Sequence, residues 1–145
     1  LHEEVLKYGD KVLIAHGGDF IQNSPLYSRV INELESHKIT VYELGAVEPN
    51  PRHTTVNRGV KICKEHGIQT VLAIGGGSTI DCCKAIAATT LSNTDDIWDL
   101  VEGKATWKDA LAVIAMPTIA STGSEMDKSN EYIHCSCFSN GMWGI

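Results

Sequence analysis

The sequence predicts an α/β fold: a parallel sheet with helices on both faces. Two observations lead there. Short runs rich in β-branched and aliphatic residues alternate with longer stretches of helical apolar spacing, joined by short connections, the pattern of right-handed βαβ crossovers. The third such run, Thr70-Val71-Leu72-Ala73-Ile74, is apolar almost throughout and too short for a helix, as expected of a strand covered on both faces. With 145 residues, 43% of them hydrophobic, the chain is the size of one domain and can fill one core.

The elements follow in order. Residues 2–8 carry a helical pattern. Lys11-Val12-Leu13-Ile14-Ala15-His16 is a β-rich run stopped by Gly17-Gly18. Residues 25–38 place Leu26, Val30, Ile31 and Leu34 at helical spacing, with Ser24 as N-cap and Pro25 in the first helical position. Residues 39–44 form a second strand, closed by Gly45 and the turn-forming Pro49-Asn50-Pro51. Residues 54–66 are helical, with Val56, Val60 and Cys63 on one stripe and Gly67 as the C-terminal stop. The strand at 70–74 precedes a helix over about 79–90 and a short helix at 95–101. Ala112-Val113-Ile114-Ala115-Met116 is the last buried strand, ended by Pro117. The order is β-α-β-α-β-α-β, without internal repeats.

Composition excludes several classes. A net charge of −6 opposes nucleic-acid binding, which needs a basic face. No apolar run reaches the roughly 20 residues that span a bilayer, and no signal peptide opens the chain, so no membrane association is expected. Five cysteines, an odd number clustered as Cys82-Cys83 and Cys135/Cys137, do not make a disulfide framework; a reducing cytoplasm is expected.

Ligands of such sheets bind outside the carboxyl ends of the strands. The loop there after the third strand is Gly75-Gly76-Gly77-Ser78. Three glycines let backbone approach a ligand and adopt positive φ where needed. The following helix offers unpaired N–H groups and a partial positive charge to a pyrophosphate. Ser78 can cap that helix or donate to a phosphate oxygen. The alternative is a tight turn in which glycine only permits close packing. The loop is neither Gly-x-Gly-x-x-Gly nor a P-loop. Asp81 and Lys84 lie one turn apart, either as a solvated ion pair or with the carboxylate serving the ribose or nicotinamide end of a ligand.

Together, Gly75-Gly76-Gly77-Ser78-Thr79-Ile80-Asp81-Cys82-Cys83-Lys84, Gly17-Gly18, the turn from Glu43 to Arg52, and Pro117-Thr118 through Thr122-Gly123-Ser124-Glu125 resemble ordered motifs of the iron-containing (group III) alcohol dehydrogenases, butanol-dehydrogenase branch. The resemblance spans about residues 11–126. It implies a Rossmann-like domain, as at the N-terminus of dehydroquinate synthase, and hydride transfer between NAD(P) and a small alcohol or aldehyde. Gly17, Gly76, Gly77 and Ser78 would hold the cofactor, Asp81 would lie toward the nicotinamide, and Thr118 and Thr122 would line the adenosine and ribose. Without the resemblance, the two threonines read as a polar turn.

Gly45 stands where NAD-preferring relatives are expected to carry an aspartate, which favours NADP(H). Asp19, and Ile21 at the place of a lysine, point to NAD(H). NADP(H) is the expectation, with NAD possible. The family's iron or zinc sits on a helical C-terminal domain, expected to be absent. Residues 1–126 form the dinucleotide-binding unit and residues 127–145 a divergent or frayed tail. None of His2, His16, His37, His53, His66 and His134 has His-x-x-x-His spacing, and most read as surface residues; Cys135 and Cys137 are a weak metal signal. The chain alone is expected to bind dinucleotide weakly, to lack turnover, and to self-associate as a homo-oligomer through an uncovered apolar face. Two alternatives are a catalytically inactive dinucleotide-binding module and a glycerol dehydrogenase-like enzyme.

Overall fold

The computed structural model describes residues 1–118 and the backbone of residues 133–134. In chain order the elements are α1 (His2–Leu6), β1 (Lys11–His16), α2 (Asp19–Gln22), α3 (Pro25–Ser36), β2 (Thr40–Leu44), α4 (His53–His66), β3 (Thr70–Gly75), α5 (Gly77–Thr90), α6 (Ile97–Val101), β4 (Ala112–Pro117) and β5 (Ile133–His134). The sheet order is β2-β1-β3-β4-β5. The first four strands run parallel, and β5 pairs antiparallel with β4 through Ile114 and Ala115. This last pairing falls inside the stretch expected to be irregular.

Alternation along the strands sorts the core into two layers. Leu13, Ala15, Leu44, Val71, Ala73 and Val113 face α4 and α5, while Val12, Ile14, Leu72, Ile74 and Ile114 face α1 and α3. Both faces of β1 and β3 are therefore covered, which explains why β3 reads as an uninterrupted apolar run.

Local chemistry sets the helix ends. The Ser24 hydroxyl accepts from the Tyr27 N–H at 3.2 Å, and Pro25 opens α3 as expected. Gly67 ends α4 in the left-handed conformation at φ 63°. On α3 it is Tyr27, not Leu26, that joins Val30 and Leu34 against the sheet; Leu26 is exposed. Tyr27 at i, with Val30 at i+3 and Leu34 at i+7, makes the continuous stripe.

Helix α5 is buried along most of its length, from Thr79 through Cys82, Cys83, Ala85, Ile86, Ala87 and Ala88 to Thr90. Its small residues let it lie close on the sheet. On its flank Gly59 of α4 comes so near that a Cβ there would sit 2.4 Å from Ile86 Cδ1. Cys63, Cys82 and Cys83 are buried free thiols in this layer. Burial pushes the Cys63 thiol up to about 12 and the Cys82 thiol to about 11. No helix among the described residues is long and apolar enough to cross a membrane.

Candidate functional site

The strand order places a topological switch between β1 and β3: the chain leaves β1 toward β2 on one side and resumes at β3 on the other. Loops diverge at such a point, and in sheets of this kind that is where a ligand crevice is expected. It is bounded by Gly17 and Gly18 after β1, the 45–52 loop after β2, the α5 N-terminus after β3, and Thr118 after β4.

At the α5 N-terminus, Gly76 is the N-cap residue and the helix begins at Gly77, two residues earlier than the sequence suggested. No side chain of the cap residue satisfies the first-turn N–H groups. Ser78 therefore lies inside the first turn and is not the cap, which leaves its hydroxyl for other partners. The Asn50 N–H approaches Ser78 Oγ at 3.5 Å.

The three glycines divide their work. None of Gly75, Gly76 and Gly77 has the positive φ that the sequence reading allowed for. A Cβ on Gly75 would lie 2.6 Å from Thr79 Oγ1, so this glycine serves internal packing. A Cβ on Gly77 would meet nothing within 4 Å. Space in front of unpaired helix N–H groups is where an anionic group fits.

The loop after β1 comes up to the same turn. The Cβ position of Gly17 lies 3.9 Å from Thr79 Oγ1 and 3.7 Å from the Val47 carbonyl oxygen. On the other side the Thr118 N–H donates to the Gly75 carbonyl at 3.1 Å, holding Thr118 exposed beside the glycine turn. Gly17, Gly76, Gly77, Ser78 and Thr118 thus gather around one helix terminus. Asp81 is exposed one turn further along α5, and among the described residues it forms no ion pair with Lys84. Thr122, the Thr-Gly-Ser-Glu segment, Cys135 and Cys137 lie outside the described residues.

The Cβ direction of Gly45 meets the His16 ring, 3.3 Å from Cε1. His16 itself is not a surface residue: it is 1% exposed and bonded to Glu43 Oε1 at 2.6 Å. The Gln22 amide donates to the same carboxylate oxygen at 2.9 Å. Sequence reasoning missed this cluster because its members lie far apart in the chain. The nearest signal was a histidine closing an otherwise apolar strand.

Sequence reasoning also gave no role to Asn50. It and Ala46 both have φ 57°, left-handed values that non-glycine residues adopt at a cost of order 1 kcal/mol or more. Both lie in the loop leaning over α5. That loop is anchored by the Thr55 hydroxyl donating to Glu48 at 2.9 Å and by Arg58 donating to the Gly45 carbonyl at 3.1 Å. Its own backbone N–H and then Thr55 hold the Glu48 carboxyl below the usual range.

A family model described as iron-containing alcohol dehydrogenase matches residues 1–130. The chain is 50% identical over 127 residues to NADH-dependent butanol dehydrogenase B of Clostridium acetobutylicum, covering 88% of this chain and 32% of that protein. It is 32% identical to the NADPH-dependent aldehyde reductase YqhD of Escherichia coli, covering 84% of this chain and 32% of the reductase. The crystal structure of NADH-dependent butanol dehydrogenase A from Thermotoga maritima superposes with a TM-score of 0.76 at 36% identity, over 85% of this chain and 31% of that one. The chain spans about a third of the length of the curated relatives it matches.

Proposed function

The chain belongs to the iron-containing alcohol dehydrogenase family, and from that premise we propose that it binds a nicotinamide dinucleotide across the carboxyl ends of β1, β3 and β4, as the cofactor-holding part of an enzyme that interconverts a small primary alcohol and its aldehyde. One observation carries the proposal: among the described residues the first turn of α5 presents N–H groups without a side-chain cap, with no neighbour within 4 Å of the Gly77 Cβ position, at the switch point of the sheet.

The residues of this chain bind and orient. The backbone of Gly76 and Gly77 and the Ser78 hydroxyl receive the pyrophosphate. Gly17 leaves room for the cofactor beside Thr79. Asp81 lies toward the nicotinamide end, and Thr118 with Thr122 toward the adenosine. Residues 1–126 act as this cofactor-binding unit. The bound nicotinamide supplies the hydride chemistry. Among the described residues no group of three or more His, Cys, Asp or Glu side chains is placed to hold a metal ion, so carbonyl polarisation is assigned to none of them. Turnover is proposed to need residues beyond those described.

Of the two dinucleotides, NAD(H) is the proposal. NADP(H) was expected from Gly45, yet that position faces His16. The Glu43 carboxylate near the end of β2 and the Asp19 carboxylate at the start of α2 would disfavour a 2′-phosphate. The butanol dehydrogenase at 50% identity is named as NADH-dependent, the reductase at 32% as NADPH-dependent. Calorimetric titration with NADH and NADPH tests this. Saturable binding with NADH the tighter ligand is expected. Tighter NADPH binding returns the choice to the Gly45 argument, and no binding of either ligand overturns the site.

A further inference from the structure

Helix α5 buries Thr79, Thr89 and Thr90, and their hydroxyls are treated differently. The Thr89 hydroxyl donates to the Ala85 carbonyl at 2.8 Å and the Thr90 hydroxyl to the Ile86 carbonyl at 2.7 Å, each four residues back. Thr79 is 4% exposed, yet its hydroxyl has no hydrogen-bond partner among the described residues. The carbonyl four residues back from it belongs to Gly75, and that one accepts from the Thr118 N–H at 3.1 Å. Buried hydroxyls nearly always pair, so an orphan on this turn calls for an explanation.

We propose that Thr79 is a further cofactor-binding residue: its buried, unpartnered hydroxyl donates to a pyrophosphate oxygen of the bound dinucleotide. The inference rests on the cofactor site proposed above.

The hydroxyl belongs to the glycine turn itself. Helix α5 starts at Gly77, so Thr79 lies in its first turn, just before the Ile80 N–H that bonds back to the Gly76 carbonyl at 3.2 Å. Its neighbours on the strand side are glycines: a Cβ would lie 2.6 Å from Oγ1 at Gly75 and 3.9 Å from it at Gly17, and neither residue has a side chain to cover or pair with it. Oγ1 thus sits by the ends of β3 and β1, the switch point of the sheet. Ser78, one residue earlier, has its hydroxyl by the 45–52 loop, where the Asn50 N–H approaches at 3.5 Å. The backbone groups of this turn are N–H donors, so the ligand atom that meets the hydroxyl among them is an acceptor. Burial and branching at Cβ restrict the Thr79 rotamer, so little side-chain freedom is lost on binding.

Among the described residues the Tyr27 and Thr70 hydroxyls are also buried without partners. Thr70 opens β3 at the end of the strand away from the turn, and Tyr27 belongs to α3, on the opposite face of the sheet from α5. Of these hydroxyls only that of Thr79 lies where a phosphate is expected, and there the ligand supplies the missing acceptor.

The test compares Thr79→Val, which removes the hydroxyl and keeps the branched shape, with Thr79→Ser, which keeps the hydroxyl. NADH and NADPH are titrated into each whole chain by calorimetry, and ligand-free melting is followed by circular dichroism. Thr79→Val should raise the dissociation constant about tenfold, the loss of one hydrogen bond to a charged group. The factor should be the same for both dinucleotides, because they share the pyrophosphate. Without ligand this variant should melt no lower than wild type, since the hydroxyl it loses is buried and unpaired. Thr79→Ser should bind close to wild type. Unchanged NADH affinity in Thr79→Val, an equal loss in Thr79→Ser, or a loss confined to NADPH overturns the proposal and leaves the cofactor site standing. So does a lower melting midpoint for Thr79→Val, which would reveal an internal partner for the hydroxyl. A wild type that binds neither dinucleotide overturns both.

Discussion

Gly75 and Gly77 are two residues apart in the same turn, yet substitution with alanine should have opposite consequences. At Gly75 the new Cβ would lie 2.6 Å from Thr79 Oγ1 and 3.1 Å from Thr79 Cβ, and Thr79 is only 4% exposed, so it cannot swing away. Overpacking of this kind costs about 1–3 kcal/mol. For a chain of 145 residues that lowers the melting midpoint by roughly 3–12 °C. At Gly77 the Cβ meets nothing within 4 Å and the residue sits in the first helical turn. Alanine is there neutral, or stabilising by up to about 1 kcal/mol, because it loses less backbone entropy than glycine. Dinucleotide binding should respond the other way. A methyl at Gly77 fills the space through which the pyrophosphate reaches the helix N–H groups. Losing one such contact costs at least about tenfold in affinity, or about 1.4 kcal/mol. Differential scanning fluorimetry without ligand gives the stability arm, and calorimetric titration with NADH gives the binding arm. Gly77→Ala that melts like wild type and binds NADH with unchanged affinity would refute the cradle. Gly75→Ala with an unchanged midpoint would refute the packing role assigned to that residue.

Two further outcomes follow from the α4–α5 layer. Gly59→Ala places a methyl 2.4 Å from Ile86 Cδ1 in a fully buried contact and should destabilise by about 1–3 kcal/mol. Adding Ile86→Val removes the clashing methyl, so a double-mutant cycle in urea should show favourable coupling; strict additivity would contradict the contact. Cys63, Cys82 and Cys83 are buried, with Cys63 pushed up to about 12 and Cys82 to about 11, so none is a thiolate near neutral pH. Peptide mapping after iodoacetamide treatment should find all three unmodified in the folded chain and alkylated in urea. Rapid native labelling of any one would mean that this layer opens.

Element order, most boundaries and the glycine turn were legible in the sequence because each is local. Strand Thr70–Gly75 betrays its double burial by being apolar almost throughout, α3 announces its start with Ser24-Pro25, and α4 its end with Gly67. The turn at Gly75-Gly76-Gly77-Ser78 could be placed between a strand and a helix for the same reason. Which glycine is packed against a neighbour and which faces open space was not legible. That depends on where Thr79 turns, and all three read alike along the chain. Gly45 shows the limit most plainly, since its identity suggested room for a 2′-phosphate and gave no sign that its neighbour across the sheet is the His16 ring. His16, Gln22, Tyr27 and Glu43 come from β1, α2, α3 and β2 and meet only after β1 and β2 pair in parallel register. Periodicity, caps and turn residues act over a few positions, so the sequence by itself determined the α/β class and the location of the glycine-rich helix start. Contacts between strands arise from sheet pairing, and so only the tertiary structure decided how the loops around that helix end are held.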